Sequence, residues 1–201
     1  MRTYTIARKT VPFNWDAIEA LPIDLVQLNC DAPIIAKAQI CHDDEAIYIR
    51  QTAIEEHIRA EAQNPLDAPC EDSCMEFFFS PIWGETRYFN IEYNPNGCIY
   101  LGLGDNVDGK VTLYRLIREK DVFKPVIART ENGWTIEYTI PYSFIRHFFP
   151  EFNPGSGYKM RANCYKCGDK TVKPHYFAWN PLSPGVETFH TPNCFGTMIF
   201  E

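Results

Sequence analysis

Three segments of this chain set an unusual group of polar side chains on one face of what reads as a strand. In "RYFNIEYN" (87–94), Tyr88, Asn90, Glu92 and Asn94 alternate with Phe89, Ile91 and Tyr93. In "YKMRANCYK" (158–166), Lys159, Arg161, Asn163 and Tyr165 alternate with Tyr158, Met160, Ala162 and Cys164. In "CMEFFFS" (74–80), Glu76 is a lone carboxylate between Cys74 and Phe78. Solvated strand faces usually carry Lys, Glu and Thr. Asn, Arg, Glu and Tyr are instead planar or forked hydrogen-bonding groups, suited to vicinal hydroxyls that each donate and accept. An aromatic ring beside them would cover the C–H face of a pyranose, and Trp179, next to Asn180 in "FAWNP", is the obvious platform. A plainer reading stays open: Trp179 is core, Arg161 and Asn163 hold a loop by bonding backbone carbonyls, and Glu76 pairs with Arg161.

The stretch "HYFAWNPLSPGVETFHTPNCFG" (175–196) is rich in aromatics and proline, with one acid, Glu187, and no Lys or Arg. Pro181, Pro184, Gly185 and Pro192 break any regular strand or helix there. Phe177 and Phe195 are expected to pack inward. Trp179, Phe189 and His190 are expected to line a ligand site on a proline-stiffened loop.

The elements that must position these residues are strands. "WTIEYTI" sets Trp134, Ile136, Tyr138 and Ile140 on one face and Thr135, Glu137 and Thr139 on the other, between the turn "ENG" and Pro141. Further strands are predicted at 34–40, 46–54, 74–80, 87–94, 98–103, 124–130, 158–166, 175–180 and 196–201, with "NPNG" as a hairpin turn. Residues 142–149 read as a short helix ended before Pro150, and 55–63 as a weaker helix or an edge strand. The expected fold is all-β: one domain over 1–201, an antiparallel β-sandwich of jelly-roll or immunoglobulin-like type with one or two short helices.

The net charge of −7, with no basic cluster, excludes nucleic acid and an anionic membrane surface as partners. No apolar run is long enough for a signal peptide or a membrane span, so a cytoplasmic protein is expected. The eight cysteines are then expected to be reduced. The lone C-x-x-C, Cys164 and Cys167, has no second pair, and on a strand its thiols point to opposite faces, which argues against zinc. "GLGDNVDG" (102–109) has calcium-like spacing but reads better as a turn. No metalloprotease, nucleophile-elbow, Walker or Rossmann pattern is present. A glycosidase needs two carboxylates at a set separation, and Glu76 with Glu92 is the conceivable pair.

Six segments in order, "EDSCMEFFFSP" (71–81), "RYFNIEYNPNG" (87–97), "GWTIEYTIP" (133–141), "NCYKCGD" (163–169), "HYFAWNPL" (175–182) and "FHTPNCFGTMIF" (189–200), resemble the family 9 carbohydrate-binding modules in their free-standing branch. The likeness runs from about residue 30 to the C-terminus. It implies a non-catalytic β-sandwich that clamps a terminal sugar between two tryptophans, bonds its hydroxyls with Glu, Arg, Gln and Asn, and carries structural calcium. By position the glutamate matches Glu76, the glutamine falls at Arg161 and the arginine near Asn90. One clamp tryptophan falls at Cys70; the other matches Trp179, or the Phe189/His190 pair. Tyr165 or Tyr88 could stand in for the lost ring. Haem, used elsewhere in the wider fold group, lacks a His partner for Met75 or Met160.

The resemblance thus implies binding of a sugar or oligosaccharide in carbohydrate catabolism, beside a separate glycoside hydrolase. The expected site comprises Glu76, Tyr88, Asn90, Arg161, Asn163, Tyr165, Trp179, Asn180 and His190. Two alternatives are a glycoside hydrolase using Glu76 and Glu92, and a structural or regulatory domain whose site is filled by its own side chains.

Overall fold

Period-two burial shapes most of the chain. The structure, a computed structural model, describes residues 1–27, 30–116, 119 and 121–201. The strands are β1 (Thr3–Arg8), β2 (Ala20–Pro22), β3 (Leu25–Val26), β4 (Ile35–His42), β5 (Ala46–Ile54), β6 (Cys74–Ser80) and β7 (Arg87–Tyr93). They continue with β8 (Ile99–Val107), β9 (Lys110–Arg115), β10 (Val126–Thr130), β11 (Gly133–Pro141), β12 (Lys159–Gly168), β13 (His175–Ala178) and β14 (Gly196–Phe200). One α-helix, α1 (Tyr142–Phe148), follows Pro141 and stops before Pro150. Three short 3-10 turns complete the regular structure among the described residues.

The strands form two layers. One holds β14, β12, β6, β7, β8 and β9, with β13 beside β12 and β3 beside β13; the other holds β10, β11, β5, β4 and β2. β1 joins them, pairing with β14 through Thr3–Ile6 and with β4 through Ala7–Arg8. Both of its pairings are parallel, the exception in an otherwise antiparallel sandwich. The layers meet face to face. The Tyr93 ring on β7 lies 5.1 Å from the Tyr138 ring on β11, and Gln51 of β5 donates to the Glu76 carbonyl at 2.9 Å. Phe77, Phe79, Phe89, Ile91, Trp134, Ile136 and Met160 fill the space between. Phe144, Phe148 and Phe149 at α1 close one end of that core against Phe89.

Three expectations change. Residues 55–63 form neither helix nor strand, because the backbone N–H groups of Glu61 and Ala62 bond Asp72 Oδ2 at 2.9 and 2.8 Å, a pattern that needs an open path. Thr3–Arg8 and Lys110–Arg115 are strands the sequence reading left unassigned. The stretch 102–109 builds the end of β8 and the start of its hairpin, where Asp108 (φ 51°) and Gly109 (φ 80°) make the two-residue turn. Asn106 Oδ1 accepts the Gly109 N–H at 3.1 Å, so this stretch does not fit a calcium loop.

Lys166 points from β12 into the sandwich and is fully buried. Its ammonium lies 3.3 Å from Glu55 Oε2 and 2.6 Å from His175 Nε2. Glu55 also receives Trp134 Nε1 at 2.8 Å and the Ser73 hydroxyl at 2.9 Å. An ammonium has only donors, so His175 accepts at Nε2 and carries its proton on Nδ1, which donates to the Lys173 carbonyl at 2.9 Å. Burial, and next the Lys166 charge, lower the His175 pKa to about 4. A histidine with a depressed folded pKa destabilises the fold as pH falls from its unfolded value near 6.5 toward 4. Thermal unfolding across that window is expected to show Tm dropping with acid in the native protein, and a shallower drop in His175→Gln.

Candidate functional site

β6 is buried at all seven positions, so the face of its sheet turned away from the core must also be covered. The proline-rich segment after β13 supplies the cover. Asn163 fastens its start: its amide donates to the Asn180 carbonyl at 2.9 Å, and its Oδ1 accepts the Asn180 N–H at 2.9 Å. Arg161 holds the end, donating to the carbonyls of Asn193 at 3.0 Å and Phe195 at 2.5 Å. Asn180 donates to the Cys194 carbonyl at 2.7 Å, and Asn106 to that of His190 at 2.8 Å. Beneath the segment lies a second apolar cluster of Cys74, Phe78, Tyr88, Tyr165, Cys167, Ala178, Phe189 and Phe195.

The cover leaves a cavity of about 210 Å³, lined by Cys70, Glu76, Phe78, Glu92, Cys167, Asp169, Tyr176, Glu187, Thr188, Phe189 and His190. Register builds its floor. Glu76 on β6 pairs across to Glu92 on β7 and to Tyr165 on β12, placing the three in one row. Phe189 stacks on Tyr165 with ring centroids 4.0 Å apart and planes 9° apart. His190 is fixed by the Tyr88 hydroxyl, 2.9 Å from Nδ1. Four carboxyl groups and no Lys or Arg line the space. Burial, then the neighbouring Glu92, raises the Glu76 pKa well above the usual carboxylate range. Burial pushes Glu92 up to about 7 against the opposing pull of the Asn90 amide, 3.0 Å from its Oε1. A carboxyl near its titration point both donates and accepts, as a hydroxyl-rich ligand requires.

Of the expected site residues, the structure brings Glu76 and His190 to the cavity wall. Tyr88, Asn90 and Tyr165 support the wall from behind, through His190, Glu92 and Phe189 respectively. Arg161, Asn163 and Asn180 spend their hydrogen bonds on backbone groups, chiefly of the covering segment and, for Asn180 Oδ1, on the Arg2 N–H, and they do not line the cavity. Trp179 lies in the main core, 3% exposed, with its edge toward Tyr4 and its ring over Gly196. A Cβ on Gly196 would sit 2.6 Å from that ring, so the glycine leaves the room the tryptophan occupies in the core. Phe177 packs inward as expected, whereas Phe195 belongs to the outer cluster. Cys164 and Cys167 do point to opposite faces, one into each cluster.

Tyr176, Asp169 and Thr188 complete the lining without having been singled out, together with Cys70, Cys167 and Glu187, which the sequence analysis named but did not place in the site. The parity of β13 could have found Tyr176, since Phe177 next to it faces the core. Asp169, in the turn after β12, carries no comparable signal.

Removing the fastening amide should loosen the cover. Asn163→Ala leaves the Asn180 N–H and carbonyl unpaired, a cost of about 1–3 kcal/mol. Urea unfolding is expected to show that loss, and hydrogen exchange at Asn180 is expected to speed up.

A family model for carbohydrate-binding family 9 matches residues 13–200. No curated protein matches the sequence. A candidate carbohydrate-binding protein from Bacteroides uniformis is 28% identical, with a TM-score of 0.78 over 100% of this chain and 99% of that one. A family 9 module from Caldicellulosiruptor kristjanssonii, solved with glucose, is 12% identical, with a TM-score of 0.68 over 100% of this chain and 96% of that one. A structure of a family 9 module from the same organism with cellotriose gives 11% identity and a TM-score of 0.70, over 100% and 94%. At those identities the likeness to the two sugar complexes is one of fold. The match over residues 13–200, on a sandwich of the same shape, places this chain in carbohydrate-binding family 9.

Proposed function

We propose that the protein is a non-catalytic sugar-binding module whose ligand enters the cavity under the 181–195 segment. The observation that carries this reading is a buried carboxyl, Glu76, 3% exposed, that faces open space between Phe78 and Phe189. Its two oxygens offer more acceptor positions than the neighbouring thiols fill, which leaves capacity for a ligand hydroxyl. The acids and His190 would bond hydroxyls, and Phe78 and Phe189 would cover the apolar ring face. The space, about 210 Å³, is below the 300–1,000 Å³ of drug-sized sites, so one sugar unit is the expected occupant. A cavity left open by its own lining also counts against a domain that has abandoned its ligand.

The enzyme reading rests on Glu76 and Glu92 standing side by side on neighbouring strands. A retaining glycosidase needs one of its two carboxyls ionised as nucleophile. Burial raises both here, which favours binding over turnover. Eight free thiols fit a reducing compartment, as the proposed cytoplasmic location would provide.

Calorimetric titration with monosaccharides and short gluco- and xylo-oligosaccharides tests the proposal. A saturable heat is expected with one sugar class, weakened about tenfold or more in Phe189→Ala and Glu76→Gln. Trp83, 54% exposed on a separate shallow groove with Tyr158 and Lys159, serves as the control, and Trp83→Ala should bind normally. Loss of binding in Trp83→Ala alone would move the site to that groove. Release of product from aryl glycosides, abolished in Glu76→Gln, would establish the enzyme instead.

A further inference from the structure

Cys74, Glu76 and Cys167 form a cluster of which the sugar reading uses only the Glu76 carboxyl. The Cys74 and Cys167 side chains stand directly opposite each other on β6 and β12. Glu76, two residues beyond Cys74, shares their face of the sheet. One ligand atom from each of the three lies within 4.8 Å of the other two. The residues are 0%, 3% and 2% exposed, so the arrangement is set by packing and not by chance surface proximity. The Cys167 thiol lies beside the Glu76 carboxyl and donates to the Cys70 carbonyl at 3.7 Å. Glu76 and Cys167 reach the cavity, which gives an ion a way in. Its wall, with four carboxyls and no Lys or Arg, presents a negative potential to whatever enters.

We propose that Cys74, Glu76 and Cys167 bind a thiophilic divalent cation of the zinc class, with the fourth coordination position open to the cavity. Two sulfurs and one oxygen select against calcium and magnesium, which take oxygen ligands, and suit zinc or cobalt. Three protein donors with one open position is the arrangement of zinc sites that exchange a water or a ligand. Binding forms two metal–thiolate bonds and one metal–carboxylate bond, and the protons of the two thiols and of the Glu76 carboxyl leave to solvent. The C-x-x-C spacing hid this site. Cys167 finds its partner across the sheet at Cys74, while Cys164 faces the core on the other side. The metal proposal does not rest on the sugar reading, although the two share Glu76.

The test is titration of the reduced full-length protein with cobalt(II), without sugar, followed by displacement with zinc(II). The expected result is one cobalt per chain, a thiolate-to-cobalt charge-transfer band, visible bands of a tetrahedral ion, and loss of all of these on adding zinc. Cys74→Ala and Cys167→Ala should lose the charge-transfer band, whereas Cys164→Ala, which also removes a buried thiol, should keep it. Glu76→Gln should alter the visible bands while keeping the thiolate band. Circular dichroism checks that each variant is folded. If a cysteine variant does not fold, the wild-type spectrum and Glu76→Gln still decide. A wild-type protein that binds no cobalt, or binds it without thiolate bands, would overturn the proposal. So would a charge-transfer band that survives in folded Cys74→Ala and Cys167→Ala.

Discussion

The register of β7, β6 and β12 is the constraint on which the rest of this structure depends. Pairing Glu76 with Glu92 on one side and Tyr165 on the other fixes which side chains share the outer face. A slip of one residue on β6 would turn Glu76 into the core and Phe77 into the cavity. The slip is prevented by burial on both faces. Phe77 and Phe79 fit the main core and Phe78 fits the outer cluster against Tyr88 and Tyr165, so a slip would mispack both faces and put the Glu76 carboxyl in the core. The same register sets Cys74 against Cys167 and gives Phe189 a ring to stack on.

Burial on both faces explains why so many polar groups lie inside. An antiparallel sheet usually leaves one face wet. Here the covering segment removes that water, and its backbone would be left unsatisfied without Arg161, Asn163, Asn180 and Asn106. Residues that look suited to hydroxyls are therefore used on amides and carbonyls of the chain itself. β12 separates two polar systems of opposite character. On its core side, the Lys166 ammonium is matched by Glu55 and His175. On its outer side, the carboxyls of the cavity have no matching cation among the lining residues.

Much of this was legible in the sequence, and what was not has physical reasons. Alternation revealed the central strands, the short helix before Pro150 and the parity of residues 87–94 and 158–165. It could not tell which polar groups on the outer face meet ligand and which meet loop, because Asn and Arg serve both uses equally well. Trp179 is the clearest case. Its composition and neighbours suggest a platform, and only the approach of Gly196 shows the ring turned inward. β1 was missed although Tyr4 and Ile6 alternate, since its role depends on parallel partners at residues 41–42 and 197–200. Long-range pairings of that kind leave no local mark.

Chemical-shift mapping by NMR during titration with the sugar that binds tests the central claim most directly. If the ligand sits under the covering segment, the largest amide shifts will fall at residues 76–78, 90–92, 165–169 and 186–191, on three strands and the loop that register and the Asn163 clamp bring together. Shifts confined to Trp83, Tyr158 and Lys159, or spread over the β10–β11 layer, would contradict the account and leave the buried Glu76 without a ligand.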